Sequence, residues 1–165
     1  MAQVRDGGAK GGGPPQRTAA SGVLYARPLA PTLRPTMPHP VRALVVDDET
    51  DVQFLFTQKF RREVRKGVIE FIFATSGEEA LEKLRTGEAA DVVVVLSDIN
   101  MPGMSGLDLL AAIQAEFPDL QVYMVTAYDD GRLRTSALES GARGYLTKPI
   151  DFTTLKEEVF GIEAA

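Results

Sequence analysis

Between residues 41 and 163 the chain alternates, five times over, a short β-branched run with a segment of helical period. That alternation constrains its fold more than any other feature. Ala43-Leu44-Val45-Val46 reads as a first strand, followed by Val52, Leu55, Phe56, Phe60 and Val64 on one helical face. Thr50 and Gln53 have capping-box spacing ahead of that helix. Val68 to Ala74 reads as the second strand, and Ser76 with Glu79 opens a helix through Ala80, Leu81 and Leu84. Val92-Val93-Val94-Val95-Leu96 is apolar without interruption, as expected of a central parallel strand covered on both faces. Leu110, Ile113 and Phe117 give a third helix its inner stripe, and Gln121 to Val125 reads as a fourth strand. A short helix over about 130–140, a strand from Arg143 to Leu146, and a last helix carrying Phe152, Leu155, Val159 and Ile162 complete the pattern. Five strands and five helices in alternation, joined by right-handed crossovers, predict an α/β protein with a doubly wound, five-stranded parallel sheet.

Composition narrows the setting. The chain has 165 residues, no Cys and a single His, so disulfide scaffolds, thiol nucleophiles and multi-histidine metal sites are excluded. No apolar run approaches the roughly 20 residues a membrane-spanning helix needs, and no secretory signal pattern is present. A cytoplasmic protein without membrane insertion is expected.

Residues 1–40 differ from the rest. They hold 6 of the 15 Gly and 7 of the 10 Pro, and five basic side chains against Asp6 alone. Such a segment buries too little to offset its ordering entropy, so it reads as a disordered basic leader ahead of a folded body at 41–163. A targeting peptide and a docking arm are its rival readings, and Met37 is an alternative start. The body carries 13 basic and 22 acidic residues. That excess of acid argues against direct nucleic-acid binding, which rests on neutralising phosphates.

In an open α/β sheet, ligands bind beyond the carboxyl ends of the strands. There the first strand delivers Asp47-Asp48-Glu49, the third Asp98, the fourth Thr126 and the fifth Lys148. Each alone is a cap, a turn former or a solvated charge. Together they put three carboxylates on one rim, where two charges about 5 Å apart at an effective dielectric of about 20 repel by roughly 3 kcal/mol. A cation would relieve that repulsion, and oxygen-only ligands suit Mg²⁺. A carboxylate nucleophile beside a metal, an ammonium and a hydroxyl is a set of groups suited to phosphoryl transfer.

Four pieces in order complete the picture: Leu44-Val45-Val46-Asp47-Asp48-Glu49, the stretch Ser97 to Gly106, Thr126-Ala127, and Gly144-Tyr145-Leu146-Thr147-Lys148-Pro149. With these the chain resembles the receiver domain of two-component response regulators, over about residues 41–163. The resemblance implies the flavodoxin-like receiver fold with strand order 2-1-3-4-5. It implies that Asp98 accepts the phosphoryl group of a histidine kinase or phosphotransfer protein. Asp47, Asp48, Asp98 and Asn100 would hold Mg²⁺, with Asp47 acting mainly through water and Asn100 through its carbonyl. Lys148 would pair with the phosphoryl group, Thr126 would be the switch hydroxyl, and Tyr145 the aromatic that moves with it. Lys148-Pro149 would be a cis peptide. The surface of the fourth helix, fifth strand and fifth helix would then bind a downstream target or form a phosphorylation-dependent dimer.

Because the output is a conformation, the resemblance implies a signalling protein, not an enzyme, here of the stand-alone type without an output domain. Tyr128, two residues after Thr126, would hinder the water that hydrolyses the acyl phosphate. Arg132, Leu133 and Arg134 would contribute to the switch face, although an ordinary solvated helix surface is the favoured reading of the two Arg. Three rival functions fit less well. An aspartate-nucleophile phosphatase would want an acid where Asn100 stands. A flavodoxin-like binding module would want a phosphate-cradling loop where Asp47-Asp48-Glu49 stands. A receiver that no longer accepts phosphate would lack part of the acid, Thr and Lys set.

Overall fold

The computed structural model describes the backbone of residues 23–26 and, with side chains, residues 40–128 and 130–162. In chain order the strands are β1 (Val23–Ala26), β2 (Val41–Val46), β3 (Ile69–Ala74), β4 (Val92–Asp98), β5 (Gln121–Thr126) and β6 (Gly144–Thr147). The helices are α1 (Thr50–Lys59), α2 (Arg61–Arg65), α3 (Gly77–Thr86), α4 (Gly106–Glu116), α5 (Gly131–Glu139) and α6 (Phe152–Thr154), the last running on as a π-helical turn over Leu155–Val159. The sheet order is β1-β6-β5-β4-β2-β3. Strands β2 to β6 are mutually parallel and reproduce the expected 2-1-3-4-5 arrangement.

Alternation along each strand sends residues to opposite faces, and both faces are covered. Leu44, Val46 and Val95 pack with Leu81, Leu84, Leu109, Leu110 and Ile113 of α3 and α4. Ala43, Val45, Val94 and Leu96 pack with Val52, Phe56, Leu155 and Val159 of α1 and the last helix. This explains why β4 reads as an unbroken apolar run: both of its faces are interior.

The structure departs from the sequence reading in the leader, along the first helix and at two helix caps. Val23–Ala26, inside the stretch expected to be unstructured, pairs antiparallel with β6 and adds a sixth strand. The remainder of the leader lies outside the described residues, apart from Pro40. The expected single helix carrying Val52 to Val64 breaks at Phe60 (φ −102°, ψ 14°), so among the described residues six helices stand where five were expected. Phe60 sits among the rings of Phe56, Phe71, Phe152 and Phe160. Beyond the break Glu63 turns inward to Lys156 (3.1 Å), while Val64 is exposed.

The capping expectations also change. Thr50 and Gln53 form no box; α1 starts from Glu49 with no side-chain cap, because the loop before it is turned around Asp47, whose Oδ1 accepts the Glu49 amide (2.9 Å). Ser76 caps α3 by accepting from the Glu79 amide, but the Glu79 carboxylate binds the Thr75 amide and hydroxyl instead of completing the box. A full reciprocal box forms at Ser105 and Asp108, ahead of α4.

Gly106, the first residue of α4, has a structural requirement. A Cβ there would run into the backbone carbonyl of Asp98 and lie 2.7 Å from the Ile99 Cα. Its amide donates to the Ile99 carbonyl at 2.8 Å. Absence of a side chain lets α4 close directly under the loop that carries Asp98.

Candidate functional site

Asp47, Asp48, Asp98, Asn100, Thr126 and Lys148 lie at the carboxyl edge of the parallel strands, while Tyr145 lies within β6. Asp47 follows β2 and Asp98 ends β4, both nearly fully buried, whereas Asp48 is exposed at the mouth. One carboxylate oxygen from each lies within 4.8 Å of the other two. Lys148, after β6, reaches across the sheet: its Nζ donates to Asp47 Oδ2 (2.8 Å) and Asp98 Oδ2 (3.1 Å). The other oxygens of the two buried acids accept backbone amides, Asp47 Oδ1 from Glu49 (2.9 Å) and Asp98 Oδ1 from Asn100 (3.2 Å).

The electrostatics follow from this crowding. Burial raises the Asp98 carboxyl above its ordinary value and the neighbouring Asp47 charge adds to the effect; Lys148 and the Asn100 amide offset only part of it. Burial alone would lower the Lys148 ammonium, but its hydrogen bond to Asp47 and the charges of Asp98 and Asp47 outweigh that and hold it above the usual lysine value. Lys148 is therefore a fixed cation.

Three carboxylates with no nitrogen or sulfur donor form a hard, all-oxygen set, the kind a divalent ion such as Mg²⁺ accepts. Asp47, Asp48 and Asp98 could hold such an ion. Asn100 is exposed beside them.

Thr126 closes β5 and is completely buried. Its Oγ1 accepts the Tyr128 amide (3.2 Å), and its carbonyl accepts the Lys148 amide (2.7 Å). Tyr145 is also completely buried, packed in the core on the α3–α4 side of the sheet, and its hydroxyl donates to the Tyr128 carbonyl at 3.0 Å. The Lys148–Pro149 peptide is cis.

Sequence reasoning singled out Tyr128 for its ring, which is exposed. It missed the backbone of the same residue, whose amide and carbonyl join Thr126 to Tyr145. No side-chain pattern signals such a role. Also missed was a groove of about 770 Å³ between α1 and the segment after β6, floored by Val52, Phe56 and Ile150 and bordered by Lys148. The exposed Leu55, expected to lie in the core, lines this groove.

A model of the response regulator receiver domain matches residues 43–160, and the chain belongs to that family, the receiver domains of two-component signalling systems. It is 33% identical over 121 residues to the chemotaxis protein CheY1 of Helicobacter pylori, a match covering 72% of this chain and 94% of that protein. It is 36% identical over 107 residues to the DNA-binding transcriptional regulator NtrC of Proteus hauseri, covering 65% of this chain but only 21% of the relative. Among solved structures it is similar to the CheX–CheY–BeF3–Mg²⁺ complex from Borrelia burgdorferi, with TM-score 0.65 and 30% identity over 73% of this chain and 87% of the other. A CheY-like receiver domain protein from Methanospirillum hungatei gives TM-score 0.63 at 30% identity, covering 72% and 89%.

Proposed function

We propose that this chain is a phosphorylation-controlled response regulator whose receiver body, residues 41–163, accepts a phosphoryl group on Asp98. The observation that carries this reading is the placement of Lys148 Nζ between Asp47 and Asp98, with Asp48 alongside. An acyl-phosphate site needs a held carboxylate, a fixed cation for the incoming oxygens and room for a metal.

The donor is a phosphohistidine on a sensor kinase or phosphotransfer protein. An Asp98 oxygen forms the new bond to phosphorus while the bond from the donor imidazole nitrogen breaks, and that nitrogen recovers its electron pair. Lys148 then turns from the carboxylates toward the phosphoryl oxygens. Mg²⁺ held by Asp47, Asp48, Asp98 and the Asn100 carbonyl would supply neutralisation of the charge on those oxygens. Asn100, through its amide to Asp98 Oδ1, keeps the carboxylate aimed.

The output is conformational, and the reading assigns no enzymatic product. A phosphoryl group adds charge and acceptor oxygens at one place. The Thr126 hydroxyl, now accepting from Tyr128, is the switch group of this reading. Movement of Thr126 toward the phosphate would give up that bond and, through Tyr128, act on Tyr145. The surface of α5, β6 and the last helix would then change its affinity for a downstream protein or a second copy. Arg132 is exposed on this side, while Leu133 packs against the core. The CheX–CheY complex is one instance of a receiver-type protein engaged by another protein. No helix among the described residues is long and apolar enough to cross a membrane, which is compatible with our placing the protein in the cytoplasm.

The test is direct. Incubation with acetyl phosphate and Mg²⁺ should give an acid-stable, base-labile phosphoryl adduct that peptide mass analysis locates at Asp98. Asp98→Asn should abolish it. Labelling of the Asn variant at the parent level would overturn the assignment.

A further inference from the structure

Strands β2 to β6 alone would leave β6 as an open edge of four residues, adjacent to the site and carrying Tyr145. Open edges present unpaired amides and carbonyls to any chain able to add a strand. Here that edge is taken. Val23–Ala26 pairs with β6 in the register Val23↔Leu146, Tyr25↔Tyr145 and Ala26↔Gly144, with an irregularity between Val23 and Tyr25. The same strand also contacts the turn Leu155–Val159 of the last helix.

Two features make the pairing consistent with one chain. First, β1 is antiparallel to β6 while the other five strands are parallel. Ala26 therefore lies opposite Gly144, at the amino end of the parallel strands, which is also where Val41 begins β2. Second, β1 and β2 are four strand positions apart, about 19 Å at the usual spacing of about 4.8 Å. The 14 intervening residues can reach up to roughly 45 Å. The span between the two strands is therefore within reach of one chain.

We propose that Val23–Ala26 is an intramolecular strand that occupies the β6 edge and closes the α5–β6–last-helix face to strand addition. A partner seeking this edge must first displace it. The link to signalling rests on the reading of that face given above, whereas the occupancy of the edge does not depend on it.

The experiment uses the full chain without phosphodonor, so failure of Asp98 to accept phosphate leaves its outcome intact. Neighbouring amides along a strand point alternately toward and away from a given partner, so Leu24→Pro with Tyr25→Pro removes at least one donor aimed at β6. Amide hydrogen exchange is followed across Gly144–Thr147, with β2 and β4 amides as the internal check on folding. The double variant should exchange about tenfold or more faster in β6, with β2 and β4 unchanged. Equal β6 protection in parent and variant would overturn the proposal. So would β6 protection in the parent that rises with protein concentration alongside a dimer mass by light scattering, since the strand would then come from a second copy. If the double variant fails to fold, dilution of the parent decides: continued protection, in a monomer, of the β6 amides that face away from β5 supports the intramolecular strand, and loss of their protection on dilution overturns it.

Discussion

The Tyr145 hydroxyl donates to the backbone carbonyl of Tyr128 at 3.0 Å, tying the interior of β6 to the loop that follows β5. The amide of the same Tyr128 donates to Thr126 Oγ1, so one loop residue connects the side chains of Thr126 and Tyr145. Tyr145→Phe removes the donor while keeping the ring. It should cost about 1 kcal/mol, and hydrogen exchange should show the loss confined to the loop around 127–128. Uniform loosening of the whole sheet would contradict this localisation.

Asp98→Asn should make the metal-free protein more stable at neutral pH. The folded carboxyl lies above its unfolded value, so the folded state holds its proton more tightly, and ionised Asp98 penalises folding. Asp47 from β2 and Lys148 from β6 are the charged groups in contact with it, and Asp48 lies at the mouth. The advantage of the Asn variant is full above the raised folded value and disappears below the ordinary carboxylate value of about 3.9. A gain of about 1 kcal/mol would raise Tm by roughly 4 °C. Thermal melts in chelator at pH 7 and pH 3.5 measure both ends of the window.

Mg²⁺ should stabilise the parent in proportion to occupancy, by about 1.4 kcal/mol at ten times its Kd. Asp48 is the discriminating residue because it is exposed and offers the least to folding. Asp48→Ala should stay within about 0.5 kcal/mol of the parent in chelator, while its Mg²⁺-dependent rise in Tm shrinks or vanishes. An undiminished rise would remove Asp48 from the ligand set.

Tyr128 projects into solvent beside the site, where its ring can obstruct water approaching a phosphoryl group on Asp98. Tyr128→Ala keeps the backbone bonds to Thr126 and Tyr145 available and removes only the obstruction. The phosphorylated variant should lose its label several-fold faster than the parent in a decay time course. Slower loss would refute the shielding role.

The parallel sheet and the strand-end chemistry were legible because each rests on a local, repeated signal. A strand buried on both faces must be apolar throughout, as at Val92–Leu96, and a ligand site at strand ends draws on the residue that closes each strand. What escaped depends on distant partners. The break at Phe60 comes from rings contributed by β3 and the last helix, and the inward turn of Glu63 from Lys156, some ninety positions away. Strand β1 is four residues in a Gly- and Pro-rich stretch, and its identity is set by an open edge more than a hundred residues later. The Ser105–Asp108 box is readable in principle, since Ser-x-x-Asp precedes an apolar helix.

The bond between Lys148 and Asp47 spans 101 positions of sequence, and that between Lys148 and Asp98 spans 50. No contiguous fragment shorter than most of the domain contains the three groups, and an unravelled chain scatters them. A damaged or half-degraded copy would thus fall silent instead of sending a false message.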